Sequence, residues 1–154
     1  MVMKIGAIAF VLGFLSFNVK AQTTKTNIVE HFTNTSCSVC ANNNENIYNA
    51  LDSHSGTLHI SFHPSSPYTS DVFNPSNKDE NDGRTNFYNI FGGTPRTVVN
   101  GNVISINAIN SELNSLANTT TNFQFDIEQT QETADSFSVN ITITKLAADT
   151  SLLL

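Results

Sequence analysis

Apolar and polar residues recur along this chain in patterns that predict most of its elements. Ile28, Val29 and Phe32 mark a short strand over 27–32. Thr33-Asn34-Thr35-Ser36 follows, a run of side chains that bond the local backbone and cap helices. Ala41, Ile47, Tyr48 and Leu51 then give an apolar side to a helix over 40–51. Ser55-Gly56 stops it. Across 57–63, Leu58, Ile60 and Phe62 alternate with His59, Ser61 and His63, a second strand that Pro64 and Pro67 end. The polar stretch 68–84 offers few core residues and reads as an insertion over the surface, with a short helix over 77–88. Gly92-Gly93-Thr94-Pro95 forces a turn. Arg96 to Val99 and Val103-Ile104 flank Asn100-Gly101-Asn102, which predicts a hairpin with its tight turn at Asn100-Gly101. Ile109, Leu113 and Leu116 complete a helix over 106–116.

The two ends differ from this middle. Phe123, Phe125 and Ile127, then Phe137, Val139, Ile141 and Ile143, alternate with polar residues and predict two half-buried antiparallel strands. Leu152-Leu153-Leu154 reads as a third strand. Two or three strands make a marginal unit, so 119–154 is expected to begin an antiparallel β-sandwich. Its phenylalanines read as core and imply no cofactor. At the start, Lys4 precedes an apolar run from Ile5 to Phe17 that is too short to span a bilayer, and Val19-Lys20-Ala21 follows. Residues 1–21 are therefore expected to be a signal peptide, with the mature chain beginning near Gln22 and exported to the periplasm or beyond. No cysteine follows the run to carry a lipid, and no later stretch is long enough to be a membrane span.

The chain has 154 residues, room for one domain of ordinary size, expected over 22–118. Its formal net charge is −6, and losing Lys4 and Lys20 makes it more acidic. That balance argues against nucleic acid and anionic membrane surfaces as partners. The charges themselves are scattered among abundant Asn, Thr and Ser, as on a solvated surface.

Only two cysteines occur, Cys37 and Cys40, three positions apart, and export puts them where disulfides persist. The strand before them and the helix after place both on the opening turn of a helix. There, unpaired backbone N–H groups and the helix dipole favour a thiolate at Cys37, which makes it the expected attacking thiol, the more accessible and more acidic of the two. Cys40 lies a turn further on, deeper toward the sheet, placed to resolve a mixed disulfide formed at Cys37. The same pair also fits a structural disulfide, or a relic on a domain that serves as a module. A metal site would need His31, His54, His59 or His63 beside the thiolates, but paired zinc-ligand spacing is missing, and no metal is predicted. His63 ends its strand at the edge where open α/β sheets place their sites, so it is a candidate supporting residue.

The run Val29 to Cys40, with Ser61-Phe62-His63-Pro64 and Gly93-Thr94-Pro95-Arg96, resembles the thioredoxin superfamily. More narrowly it resembles the thioredoxin-like "outer membrane protein twenty-eight" family of Gram-negative bacteria. The likeness is close over about residues 27–117 and loose beyond. It implies an α/β thioredoxin-like fold, a central mixed sheet flanked by helices, followed by a β-rich region. It also implies a cis bond at Thr94–Pro95, with Thr94 and Pro95 offering backbone groups to a substrate strand. Glu30 falls near the buried acid that assists the second cysteine in thioredoxins, one residue further from Cys37, and is thus a candidate general base. The implied activity is dithiol–disulfide exchange on cysteines of other envelope proteins, without a cofactor, with association at the outer membrane as an added expectation. Ser36 and Ser38-Val39 depart from the residues of the well-known reductants and oxidants, which leaves the redox direction open. The competing expectation is a non-catalytic envelope module built on the same scaffold.

Overall fold

The computed structural model describes residues 22–146. The signal segment 1–21 and the third strand expected at 152–154 lie outside the described residues. Two compact units are present, the larger formed by residues 24–121 and the other containing the strands that follow Asn122.

The larger unit is mixed α/β with three helices. In chain order the elements are β1 (Thr23–Thr24), β2 (Ile28–Phe32), α1 (Ser38–Asp52), β3 (Leu58–Phe62), α2 (Lys78–Phe87), β4 (Arg96–Val99), β5 (Asn102–Ile104), α3 (Ile109–Leu116) and β6 (Thr120–Thr121). Four strands form one sheet in the order β3-β2-β4-β5. β2 and β3 are parallel and joined through α1, while β4 runs antiparallel to β2 and β5 antiparallel to β4. β1 pairs with β6, which the polar run 23–26 gave no reason to expect.

Alternation along β2 divides its side chains between the two faces of the sheet. On one face Val29 and Val99 meet Ile47 and Ala50 of α1 and Ile109 and Leu113 of α3, the buried core. The Val, Ile and Leu side chains of this core each contribute about 1.5–3 kcal/mol by leaving water. On the other face Phe32 stacks on Phe62 with ring centroids 5.1 Å apart and meets the edge of Tyr88, just past the end of α2. The β4–β5 turn is tight as expected: Asn100 and Gly101 have φ of 49° and 86°, the left-handed conformation that an Asn-Gly turn between twisted strands requires.

One expectation needs correction. The segment after Pro64 is not a skin over the surface, because Asp71, Asn74, Asn81 and Thr85 are buried. Its core consists of hydrogen-bonding side chains, which apolar periodicity cannot register. Conversely, Leu58 and Ile60 are exposed, because β3 is an edge strand and the α2-side residues Arg84 and Tyr88 reach Glu30 and Phe32 of β2 instead.

In the second unit β7 (Phe123–Gln131) and β8 (Phe137–Lys145) form an antiparallel hairpin. The register sets Phe125 opposite Ile143 and Ile127 opposite Ile141, so the apolar residues form one stripe. These four and Phe137 are exposed rather than core, since a two-stranded ribbon has no second layer of its own to bury them. Among the described residues no helix is long and apolar enough to cross a membrane.

Candidate functional site

The loop 33–36 is stiffened by its own side chains before it delivers Cys37. Asn34 accepts the N–H of Ser36 at 2.9 Å and donates to the carbonyls of Pro64 and Tyr68 at 3.0 and 2.9 Å. Cys37 then occupies the N-cap of α1 with extended backbone (φ −97°, ψ 104°). In place of the usual Ser or Asp oxygen, its Sγ receives the backbone N–H of Cys40 at 3.0 Å. The first turn of α1 carries no acidic side chain, so nothing there offsets the positive end of the helix dipole.

Cys37 and Cys40 are joined in a disulfide, with Cα atoms 5.2 Å apart. Cys40 is 1% exposed, as expected of the deeper residue, but Cys37 is only 3% exposed, contrary to the expectation of an accessible thiol. The cause is the loop before β4: the Thr94 carbonyl oxygen sits 3.7 Å from Cys37 Sγ. The Thr94–Pro95 bond is cis, as the motif led us to expect, and Ser66–Pro67, for which no such expectation existed, is cis too. Pro95 is buried, and the Thr94 hydroxyl is buried without a hydrogen-bond partner. The structure thus brings Cys37, Cys40, Thr94 and Pro95 together.

Glu30 and His63 are placed elsewhere. Glu30 is buried under α2, where its carboxylate accepts from Arg84 Nε and Nη2 at 2.5 and 2.8 Å and from the Tyr88 hydroxyl at 2.6 Å. Burial pushes this carboxyl up. The hydrogen bonds from Arg84 and Tyr88 and the Arg84 charge outweigh it and hold the pKa below the ordinary value. Arg84→Met should cost about 2 kcal/mol at pH 7, below the usual penalty for a buried pair because the Arg84 side chain is 39% exposed. In that variant Glu30 loses the partner that lowered its pKa, so the penalty should shrink as pH falls and Glu30 protonates. Urea unfolding at pH 7 and 4.5 checks this, and an equal penalty at both would show that Arg84 does not act through the Glu30 charge.

His63 Nδ1 lies 2.9 Å from Asp71 Oδ2, while its backbone N–H and C=O bond Asn81 and Asn74. Asp71 is the hub here. Its Oδ2 also accepts the N–H of Thr35 at 2.7 Å, and its Oδ1 accepts those of Phe73 and Asn74 at 2.8 and 3.0 Å. Burial raises the Asp71 pKa, but these bonds, led by His63, bring it below the ordinary value. His63 and Asp71 therefore tie the segment after Pro64 to the loop that precedes Cys37. Asp71 went unread in the sequence, although it is the one charged residue between Pro64 and Asn77.

His31 was also passed over as a site residue. It shares the α1 face with Val29, six positions before Cys37, and strand parity could have shown this. The ring is 0% exposed, stacked on His59 at 5.8 Å with the edge of Tyr48 at 6.0 Å, and neither nitrogen has a hydrogen-bond partner. Burial, reinforced by His59 and His63 and only partly opposed by the nearby Asn44 side chain, lowers its pKa to about 4. Among the described residues no group of three or more His, Cys, Asp or Glu is placed to hold a metal ion.

No family model matches the chain, and no curated protein matches it. Among solved structures it is similar to a structural-genomics X-ray structure of a protein from Agrobacterium tumefaciens, with 19% sequence identity and a TM-score of 0.51. The similarity covers 79% of this chain and 58% of that one, so the chain spans little more than half that protein's length. At this identity the likeness is one of fold, and the fold it supports is mixed α/β.

Proposed function

We propose that the protein is an exported thiol–disulfide oxidoreductase of the bacterial envelope, with a thioredoxin-like domain over 22–118 and the start of a β-sandwich after it. The observation that carries this reading is the position of Cys37. It caps a helix, is bonded to the cysteine one turn on, and has a backbone N–H aimed at its sulfur and the Thr94 carbonyl beside it. The β3-β2-β4-β5 order with β2 and β3 parallel supports the thioredoxin-like part, as does the loop 92–95 lying against the cysteines. The signal-like residues 1–21 support the envelope, and the alternating β7–β8 hairpin supports the sandwich.

In the reducing direction the Cys37 thiolate attacks a partner disulfide, one partner sulfur leaves as thiolate, and a mixed disulfide forms. The Cys40 thiolate then attacks Cys37 Sγ, the Cys37–Cys40 bond forms, and the second partner thiolate departs. The reverse sequence delivers a disulfide. Glu30, already committed to Arg84 and Tyr88, contributes in this scheme by fixing α2 to the sheet rather than by accepting a proton. A second reading, a non-catalytic outer-membrane-associated module with a structural disulfide, draws on the burial of both cysteines. Insulin reduction and dithiol oxidation by wild type and Cys37→Ser separate the two. Turnover by wild type that falls to background in Cys37→Ser is expected, and wild type no faster than the variant in either assay would establish the second reading.

A further inference from the structure

An open cleft of about 360 Å³ lies between the second half of α1 and the chain that enters α3, the 3-10 turn Ile106–Ala108. Both sides belong to the larger unit. Asn46, Asn49 and Ser53 line one wall, at i, i+3 and i+7 on one stripe of α1, and Asn107 and Asn110 line the other. The floor is apolar: Ala50 and Ile109 are buried core residues, and Ile106 packs against the same core. That core fixes the walls relative to each other, so the cleft is preformed. Its asparagines do not hold the fold together. Asn34, Asn74, Asn81 and Asn100 use their side-chain amides in hydrogen bonds within the protein, as do Asn43 and Asn44 of α1. Among the described residues the amides of Asn46, Asn49, Asn107 and Asn110 have no such bond, and all four residues are exposed. At exposed helix positions Ala, Lys and Glu are better helix formers than Asn, so local stability favours other residues where Asn46 and Asn49 stand. Departures of this kind gather at functional sites.

The lining selects a ligand class. No charged side chain lines the cleft, although Glu45 and Asp52 occur on the same helix, so an ionic ligand finds no partner of opposite sign there. No aromatic ring lines it either, and a flat base has nothing to stack on. What the walls offer is amide, each with an NH₂ donor pair beside a carbonyl acceptor. Neighbouring hydroxyls of a sugar ring match this, since each both donates and accepts, and the ring's C–H face is apolar enough to rest on Ile106 and Ala50. We propose that this cleft binds a neutral saccharide, with one pyranose ring lying on the apolar floor and its hydroxyls toward the asparagine walls. The volume falls in the lower part of the range of small-molecule sites, about 300–1,000 Å³. The open rim and the missing aromatic floor set the affinity for a single ring at about millimolar. This site goes beyond the redox reading and does not depend on it.

The test is a nuclear magnetic resonance titration of the nitrogen-15-labelled protein with glucose, N-acetylglucosamine, their trimers cellotriose and chitotriose, and the charged sugars glucuronate and glucosamine. The side-chain amide signals of Asn46, Asn49, Asn107 and Asn110 should shift with at least one neutral sugar at about 50 mM, while those of the internally bonded Asn34 and Asn81 stay in place. Glucuronate and glucosamine should bind about tenfold more weakly or less, because their charges meet no counter-charge. Asn49→Ala/Asn110→Ala should weaken the neutral sugar about tenfold, and Asn86→Ala, exposed on α2, should leave it unchanged. A trimer that binds about tenfold tighter than its monomer identifies the chain of a glycan as the ligand, and equal affinities identify a free sugar. No shift of the four amides with any neutral sugar, charged sugars that bind as tightly as neutral ones, or an unchanged affinity in the double variant would overturn the proposal, and none of these outcomes bears on turnover at the cysteines.

Discussion

Expressed in a bacterial envelope, Cys40→Ser should accumulate as mixed disulfides with other polypeptides, and Cys37→Ser should accumulate few or none. The asymmetry follows from the helix start. The N–H aimed at Cys37 Sγ belongs to the backbone of residue 40 and survives the change of its side chain, so the attacking sulfur keeps its stabilising contact. Without Cys40 the second attack cannot occur and the partner stays bound. In Cys37→Ser the remaining thiol lies within the first turn, past the N-cap position whose sulfur receives a backbone N–H, so it lacks the contact that favours an attacking thiolate. Non-reducing electrophoresis after acid quenching reads the outcome as bands that collapse on reduction. Equal trapping by both variants would remove the assignment of attacker and resolver.

The second large effect is on stability against acid. His31 has a folded-state pKa of about 4 against an ordinary 6.5, because its ring is fully buried beside His59 and His63. Between these values the unfolded chain binds a proton that the folded one does not, so stability falls as pH drops from 6.5 toward 4 and is insensitive to this group above 6.5. At about 1.4 kcal/mol per pH unit the accumulated loss is on the order of 3 kcal/mol. His59, whose pKa is also lowered by burial, adds in the same sense. Glu30 and Asp71 act lower, since their depressed pKa values place their losses below the ordinary carboxylate range. Replacing His31 with Phe keeps a ring against Tyr48 and His59 and removes the titrating group. Urea midpoints from pH 7.5 to 4 should fall more steeply for wild type than for His31→Phe, and parallel curves would show that His31 does not carry the effect.

Elements whose order is set by apolar spacing or turn chemistry were legible before the structure. Ile47 and Leu51 marked α1, Asn100-Gly101 the β4–β5 turn, and Leu113 and Leu116 α3, whereas the expectation that Thr94-Pro95 lies beside the cysteines came from the resemblance. What escaped is polar and long-range. Asp71 is joined to Thr35 across 36 positions and Glu30 to Arg84 across 54, and a carboxylate reads alike in sequence whether it faces water or a buried guanidinium. The choice of Glu30 over His31 as the notable buried ionisable group came from the resemblance to thioredoxins, whereas strand parity puts His31, not Glu30, on the face of α1. The exposure of Leu58 and Ile60 was hidden for a related reason. Alternation says which residues share a face, and only the tertiary arrangement says whether anything covers it.

Asp71 divides the segment after Pro64 into a frame and a tip. The frame is its carboxylate with Asn34, His63 and Asn74; the tip is Val72 and Phe73, both exposed, of which Val72 is held by its backbone N–H on Thr35 Oγ1, whereas the Phe73 ring also packs edge-on against His63 with centroids 4.9 Å apart. A backbone bond is indifferent to the side chain that follows it. Val72 can therefore be exchanged for other residues without disturbing the support of the cysteine loop, so the chain can vary this exposed position beside Asp71 while the geometry that holds the sulfur stays fixed.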